Sequence, residues 1–286
     1  LEEKEIQIRG FKVRLPLDIQ FIFTSNPEDY TNRGSIVTPL KDRIGSQILT
    51  HYPESTEIAK KITRQESNLN PNIESRVHIP ELARDIVEQI SFEARDSDLV
   101  DKKSGVSARM SITSLQNLIS SAERRMIINK EKNTSIRMSD FNSIISSING
   151  KVELVYEGEE EGPDQVSYNL ISDAVKSLFT KYFPKIEKLT KPDEVTEYNP
   201  LLEWFSLNQL VIRDDLKNEE YEGVLKRVKE AKLLLDKHLP KAEKNDKFFL
   251  IEFLLWGLES FKKLSIMRTN NGIEFKDPFN NFINKI

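Results

Sequence analysis

The sequence contains no cysteine. This absence excludes disulfide scaffolds, thiol nucleophiles and cysteine-ligated zinc or iron–sulfur sites, and it favours a location in the reducing cytoplasm. Histidine is scarce as well: the three histidines, His51, His78 and His238, lie far apart and lack the HExxH spacing of a helical zinc site. We therefore expect no metal site.

Long apolar runs are also absent. The longest, residues 248–258, is interrupted by Glu252 and falls short of the ~20 apolar residues that a membrane-spanning helix needs. The N-terminus shows no signal-peptide pattern. Basic residues number 42 and acidic residues 46, and this balance excludes a chain that is basic overall, as many nucleic-acid binders are. Neither a membrane nor a nucleic acid is an expected partner.

Two common active-site motifs are missing. No serine lies in the GxSxG elbow of the α/β-hydrolases. The Gly-Lys pair at Gly150-Lys151 lacks both the upstream glycine and the following Ser or Thr of a phosphate loop. We interpret that pair as the end of a helix, so this chain does not itself contain a nucleotide cradle.

The first fifty residues carry the strand signals of the chain. Residues 5–15 alternate apolar and polar side chains on both sides of a turn at Gly10, which predicts a β-hairpin. Residues 19–24 form a nearly continuous apolar run, as a buried parallel strand would. Residues 47–51 predict a further short strand, closed by Pro53.

The rest of the chain is predicted to be helical. Ser111 is a plausible N-cap for a helix over 112–129, and Ser139 for a helix that ends at Gly150. The acidic stretch EGEEEGPD at 157–164 is punctuated by glycine and proline, so we interpret it as a linker between domains. The other predicted helices cover residues 54–68, 80–95, 166–182, 194–209, 218–238 and 246–263.

Three polar motifs follow one another in the first part of the chain. They are SNPEDY at 25–30, TPLKDRIG at 38–45 and GVSAR at 105–109. Each has an ordinary explanation when taken alone. Asn26 precedes a proline in what could be a simple turn, and Arg43 could form a surface ion pair with Asp42. Arg109 lies near a helix N-terminus, where the helix dipole disfavours a cation, and this position mildly favours an anionic partner such as phosphate.

Taken together and in this order, the hairpin, the apolar strand and the three motifs resemble the second half of an AAA+ ATPase module. The branch they resemble is that of the magnesium-chelatase I subunit and MoxR proteins, over residues 1 to about 150. The resemblance implies that Asn26 is sensor 1, which orients the attacking water, and that Arg43 is the arginine finger. Arg109 would be sensor 2. Asn26 and Arg109 would also contact the nucleotide.

The resemblance also implies an architecture. The fold is expected to be mainly α, with a remnant of the α/β AAA+ core made of the hairpin and two strands. That remnant would cover residues 1–52 and a helical lid residues 53–150. An acidic linker over 151–164 would lead to a helical C-terminal domain over 165–286, which matches no family that we can name.

One departure from the family bears on activity. Family members carry a phosphate loop and an acidic Mg²⁺ site upstream of the segment that corresponds to residue 1, and neither occurs here. We expect the intact protein to use ATP and Mg²⁺, and this chain, as a fragment, to bind neither tightly and to be no competent ATPase. The family's phosphate-loop strand lies between the strands predicted at 19–24 and 47–51. Without it, both should expose apolar surface, and residues 1–52 should be the least stable part.

Three functions are open at this point. The first is a motor whose subunits assemble into a ring, hydrolyse ATP and remodel a partner protein, such as a protein substrate or a von Willebrand A-domain partner. The second is a non-catalytic interaction module that transmits nucleotide state to a bound protein. The third, an AAA+ transcription regulator, ranks last because no helix-turn-helix with a basic recognition helix is evident.

Overall fold

The computed structural model describes residues 5–14, 20–24, 42–186, 196–269 and 271–278. Its backbone contacts divide the chain into two compact units, Leu1–Thr50 and His51–Ile286. Across the described residues the fold is mainly α with small sheets, which confirms the prediction in that coarse form.

The first unit contains the predicted hairpin. Strands β1 (Glu5–Ile8) and β2 (Phe11–Arg14) pair antiparallel, with Ile8 opposite Phe11. The two loop residues have positive φ angles, 49° at Arg9 and 89° at Gly10. Two consecutive left-handed residues are the backbone of a type I′ turn, whose twist matches that of the strands on either side. The hairpin prediction is confirmed.

The two other strands predicted for this unit are not present among its described residues. Residues 20–24 and 47–51 form no strand pairing with any described residue. A β-strand forms only where a neighbour accepts and donates its backbone hydrogen bonds, and no described segment does so here. The apolar side chains of both segments are exposed, with 82% of Ile22 and 90% of Ile48 accessible. Exposed apolar surface is what the sequence analysis expected in the absence of the phosphate-loop strand.

The second unit begins with a group of helices and a small parallel sheet. Strand β3 (Val77–His78) pairs parallel with β4 (Thr134–Ser135). A 3₁₀ helix over Met138–Ile144 continues directly into a short α-helix. The α-helices of this part are α1 (Thr56–Glu66), α2 (Pro71–Glu74), α3 (Glu81–Asp96), α4 (Arg109–Ile128) and α5 (Ile145–Asn149).

The two predicted serine caps are wrong. Helix α4 begins at Arg109, so Ser111 lies inside its first turn, where its hydroxyl is hydrogen-bonded to that of Ser91 at 2.7 Å. Ser139 lies inside the 3₁₀ helix, and its backbone N–H donates to the carboxylate of Glu252 at 3.0 Å. In both cases a side chain from elsewhere in the fold engages the serine.

The acidic segment predicted to be a linker is structured. Val152 and Leu154 form isolated bridges with Val106 and Val100, and helix α6 covers Tyr156–Glu161. Its Gly158 is not a flexible position, because a Cβ there would lie 2.6 Å from the carbonyl oxygen of Leu99. Helix α7 (Pro163–Phe179) follows at once. The described residues before and after this segment contribute to one hydrophobic core.

The C-terminal part combines helices with a sheet that the sequence analysis did not predict. The sheet is antiparallel with the order β5 (Leu210–Arg213), β7 (Gly272–Lys276), β6 (Ser265–Thr269). The helices are α8 (Asn199–Leu207), α9 (Asn218–Leu225), α10 (Lys229–His238) and α11 (Lys247–Ser260).

Two features of these helices shape the core. The helix predicted over 218–238 is two helices, because buried Val228 leaves the helical conformation with φ −92° and ψ 78°. Helix α11 is apolar on all sides and buried along almost its whole length. Among the described residues, no helix is both long enough and apolar enough to cross a membrane.

Candidate functional site

The three predicted site residues do not all lie in the same described part of the structure. Asn26 lies outside the described residues. Arg43 belongs to the first unit, where it is exposed in a turn, and Arg109 belongs to the second. The two arginines thus belong to different units. The assembly of Asn26, Arg43 and Arg109 into one site stays a prediction.

Arg109 is the first residue of the 20-residue helix α4. Its backbone N–H donates to Ser107 Oγ at 3.3 Å, and its carbonyl accepts from the hydroxyl of Thr113 at 2.9 Å. The first turn of the helix contains no acidic residue. The guanidinium is exposed and has no hydrogen-bond or ion-pair partner within the described ranges. A cation thus lies at the positive end of the helix dipole, an arrangement that favours an external anion.

The loop that leads to Arg109 is held on both sides. Gly105 takes a left-handed φ of 72°, and the next backbone N–H, that of Val106, donates to the Tyr52 hydroxyl at 3.0 Å. Ser107 donates its backbone N–H to the carbonyl of Lys151 at 3.3 Å. These contacts fix the start of α4 before any ligand binds.

Tyr52 is in turn held by Arg95 from α3. The Arg95 guanidinium lies 4.1 Å from the centre of the Tyr52 ring and 5.0 Å from that of Phe92. Burial lowers the pKa of Arg95, against the raising effect of Tyr52 and Glu88. This cation–π contact is a second support for the loop.

A buried carboxylate lies beside the first turn of α4. Glu88 is 3% exposed, and burial raises its pKa, against hydrogen bonds with Thr63 and Ser111 that lower it. The side chains of α3 and the first turn of α4 therefore share a polar contact inside an otherwise apolar interface.

A second polar cluster was missed by the sequence analysis. Its centre is Glu252, in the middle of α11 and fully buried. One carboxylate oxygen accepts the backbone N–H of Ser139 and the other that of Met138, both at 3.0 Å. The hydroxyl of Tyr221 donates to the second oxygen at 2.6 Å. Because the first N–H groups of a helix have no partner inside it, the carboxylate satisfies two that would otherwise be unpaired.

The environment of Glu252 opposes its ionisation. Burial raises its pKa to about 7, although the Tyr221 hydroxyl and the charge of Arg137 lower it. Asp140 is a further carboxylate near it and adds to the rise. One feature of the sequence could have pointed to this cluster: Glu252 interrupts the longest apolar run of the chain.

Two buried arginines complete the cluster. Arg125 forms an ion pair with Asp140, whose other oxygen accepts the backbone N–H of Arg137 at 2.8 Å. The guanidinium of Arg137 lies 4.1 Å from the centre of the Tyr221 ring, and its Nη2 donates to Asn218 Oδ1 at 3.2 Å. Because Arg125 follows Arg109 by sixteen residues on α4, this cluster is about 24 Å along the helix from the predicted nucleotide contact.

The chemistry of the two regions differs. The region around Arg109 offers an exposed cation on a fixed backbone, which can bind an anion, while its carboxylate, Glu88, is buried and hydrogen-bonded to Thr63 and Ser111. The cluster around Glu252 pairs most of its charged atoms internally and joins α11 to the 3₁₀ helix. Across the described parts of the chain, no group of three or more His, Cys, Asp or Glu side chains is placed to hold a metal ion.

No protein-family model, curated protein or solved structure matches this chain.

Proposed function

We propose that this chain is the C-terminal part of an AAA+ ATPase module of the magnesium-chelatase and MoxR type. In the intact protein, the module would form a ring, hydrolyse ATP with Mg²⁺ between its subunits and remodel a partner protein in the cytoplasm. The partner would be a protein substrate or a von Willebrand A-domain protein. The observation that carries the proposal is the exposed guanidinium of Arg109 at the start of α4, which has no partner in the described part of the chain.

The energetics of this position support an anionic ligand. A cation in the first turn of a helix costs about 0.3–1 kcal/mol through the helix dipole. Arg109 has no carboxylate partner in the described structure to offset that cost. The loop before it is already fixed by Tyr52 and Lys151, so binding would order little further backbone. A nucleotide phosphate would convert an unfavourable charge into a charge-assisted hydrogen bond.

Arg43 has a different role in the proposal. It is exposed in a turn of the first unit and belongs to the segment LKDRIG. As an arginine finger it would reach the nucleotide bound to a neighbouring subunit and stabilise the charge that develops during phosphoryl transfer. Fingers of this type accelerate turnover by roughly 10³–10⁵ in related systems.

The exposed apolar side chains of the first unit also support the proposal. Phe21, Ile22 and Phe23 are at least half exposed, as are Ile48 and Leu49. In an AAA+ core these two segments would be strands on either side of the phosphate-loop strand, which would cover them. Since the phosphate loop and the Mg²⁺ site are not in this chain, we propose that the chain by itself has no ATP turnover.

The test is made in the full-length protein, with a control on the same helix. Arg109→Ala should reduce ATP turnover without lowering the thermal stability of the chain, because the exposed guanidinium forms no hydrogen bond or ion pair with a described residue and its charge opposes the helix dipole. Arg124→Ala, at an exposed position of α4, is the matched control and should turn over ATP at the wild-type rate. Equal turnover in the two variants would contradict the assignment of Arg109.

A second candidate, a module that transmits nucleotide state without catalysis, is favoured by one observation. Glu252 in α11 binds the backbone of Met138 and Ser139, so the part that contains α4 is joined to the C-terminal helices by buried hydrogen bonds. A change at the start of α4 could pass to a protein bound on those helices. Turnover that survives Arg109→Ala, together with lost partner binding, would favour this candidate.

A further inference from the structure

A cleft lies at the end of the second unit where β3 and β4 meet α9 and the loop before α11. We call it the Arg137 cleft. Its volume is about 480 Å³, within the roughly 300–1,000 Å³ typical of small-molecule sites. Among the residues that line it are Arg76, Arg137, Asn218, Tyr221, Lys244 and Phe248.

Arg137 is the unusual residue of this cleft. It is 1% exposed, yet its Nη1 has no hydrogen-bond partner among the residues that the structure describes. Nη2 is bound by Asn218, and the guanidinium rests on the Tyr221 ring, so the group is held in one orientation. Leaving a buried N–H of a charged group unpaired is costly, and an acceptor oxygen from a ligand would remove that cost.

Two further cations line the same cleft. Lys244 is exposed and has no partner among the described residues, and Arg76 uses Nε for the carbonyl of Lys132 at 3.1 Å. Neither forms an ion pair with a described carboxylate. Together with Arg137 they present donors from three different segments of the chain.

The carboxylates near the cleft are mostly paired already. Glu222 is bound by Lys226 at 2.9 Å, and Asp246 is bound by His78 at 2.5 Å. Glu74 is the remaining acidic residue of the lining. Among the described residues that line the cleft, the unpaired donors therefore outnumber the unpaired carboxylates, and the cleft suits an anion rather than a cation.

We propose that the Arg137 cleft binds the phosphate group of a small organic phosphate. Three cationic donors suit the three free oxygens of a phosphate monoester better than the two oxygens of a carboxylate. Phe248, which is partly exposed, offers apolar surface for the organic part. The inference is independent of the proposed function, because Arg109 lies at the opposite end of α4.

Isothermal titration of the 286-residue chain tests this site, with phenyl phosphate, inorganic phosphate and benzoate as probes. Phenyl phosphate should bind more tightly than either of the others. Lys244→Gln should weaken its binding roughly tenfold, the value of one charge-assisted contact. Lys241→Gln, at an exposed position outside the lining, is the matched control and should bind as the wild type does.

Arg76→Gln and Arg109→Ala separate this inference from the proposed function. Arg76→Gln, combined with Lys244→Gln, should weaken the binding of phenyl phosphate further. Arg109→Ala should leave the affinity for phenyl phosphate unchanged. Absence of binding, equal effects of Lys244→Gln and Lys241→Gln, or benzoate that binds as tightly as phenyl phosphate would overturn the inference. Binding lost in Arg109→Ala but kept in Lys244→Gln would also overturn it, by placing the phosphate at the start of α4.

Discussion

The hydroxyl of Tyr221 donates a hydrogen bond to the carboxylate of Glu252 at 2.6 Å, inside the core of the second unit. The two residues come from different helices, α9 and α11, and the same carboxylate accepts two backbone N–H groups of the 3₁₀ helix. One side chain thus joins three elements. We expect this contact to be central to the stability of the unit.

Removing the donor should weaken the unit. Tyr221→Phe keeps the ring beneath Arg137 but leaves the carboxylate of Glu252 with one fewer hydrogen bond. We expect a loss of about 1.5–3 kcal/mol in the free energy of unfolding at pH 8, the usual value for a bond to a charged group. Urea denaturation measures it. Tyr156→Phe, at a position 69% exposed, is the control and should cost under about 0.5 kcal/mol.

Glu252 should give the unit a distinct pH dependence. Its pKa rises from 4.5 to about 7 on folding, so the folded state binds this proton more tightly than the unfolded state does. Its contribution to stability is therefore complete below about pH 4.5 and is lost as the pH rises through 7. The stability difference between wild type and Glu252→Gln should shrink by up to about 3 kcal/mol between pH 5 and pH 8.

Urea denaturation of the wild type and of Glu252→Gln across this pH range shows whether the stability difference falls or rises with pH. The comparison isolates Glu252 because Tyr221, Arg137 and Asp140, the titratable groups that act on it, are unchanged in both. A difference that grows with pH would mean that the carboxylate is ionised more easily in the folded protein, contrary to our account.

Gly257 should tolerate no side chain. A Cβ at this position of α11 would lie 2.0 Å from Cδ2 of the Phe179 ring, which is itself buried. Gly257→Ala should therefore destabilise the chain by about 1–3 kcal/mol, although alanine favours helices. Gly223→Ala, at an exposed position of α9 where a Cβ would meet nothing within 4 Å, should instead stabilise it by up to about 1 kcal/mol. Thermal unfolding of the two variants should shift in opposite directions.

Local stability should differ between the units. Residues 20–24 and 47–50 lack strand partners in the described structure, whereas α4 and α11 carry many of the core side chains. Amide hydrogen exchange should be fast in the first two segments and slow within 112–128 and 247–260. Uniform protection along the chain would show that another pairing completes the first unit.

The parts of the fold that could be predicted from sequence are those set by local signals. The hairpin at 5–15 depends on alternation and a two-residue turn, and both are visible in a short window. The strands predicted at 19–24 and 47–51 were wrong over their described residues because a strand requires a partner, which an apolar run does not specify. The sheet of β5, β6 and β7 was missed because its strands are short and join residues far apart.

The predicted site shows the same limit. Arg109 was predicted to lie near a helix start and is the first residue of α4, since glycine, serine and a following apolar period are local signals; the predicted cap, Ser111, lay three residues too far along the chain. Arg43 and Asn26 were predicted from resemblance, and their assembly with Arg109 remains a prediction. Glu252 was missed as a functional contact because its partners Met138 and Ser139 lie more than a hundred residues earlier in the chain.

The most direct test of the central claim is ATP turnover of Arg43→Ala in the full-length protein. We expect ATP binding to be kept and turnover to be lost, by roughly 10³-fold or more, because the finger acts on the neighbour's nucleotide. Mixing this variant with a phosphate-loop variant should restore part of the activity, since one type of interface then contains both an intact cradle and an intact finger. Wild-type turnover in Arg43→Ala would contradict the account and make Arg43 an ordinary surface residue.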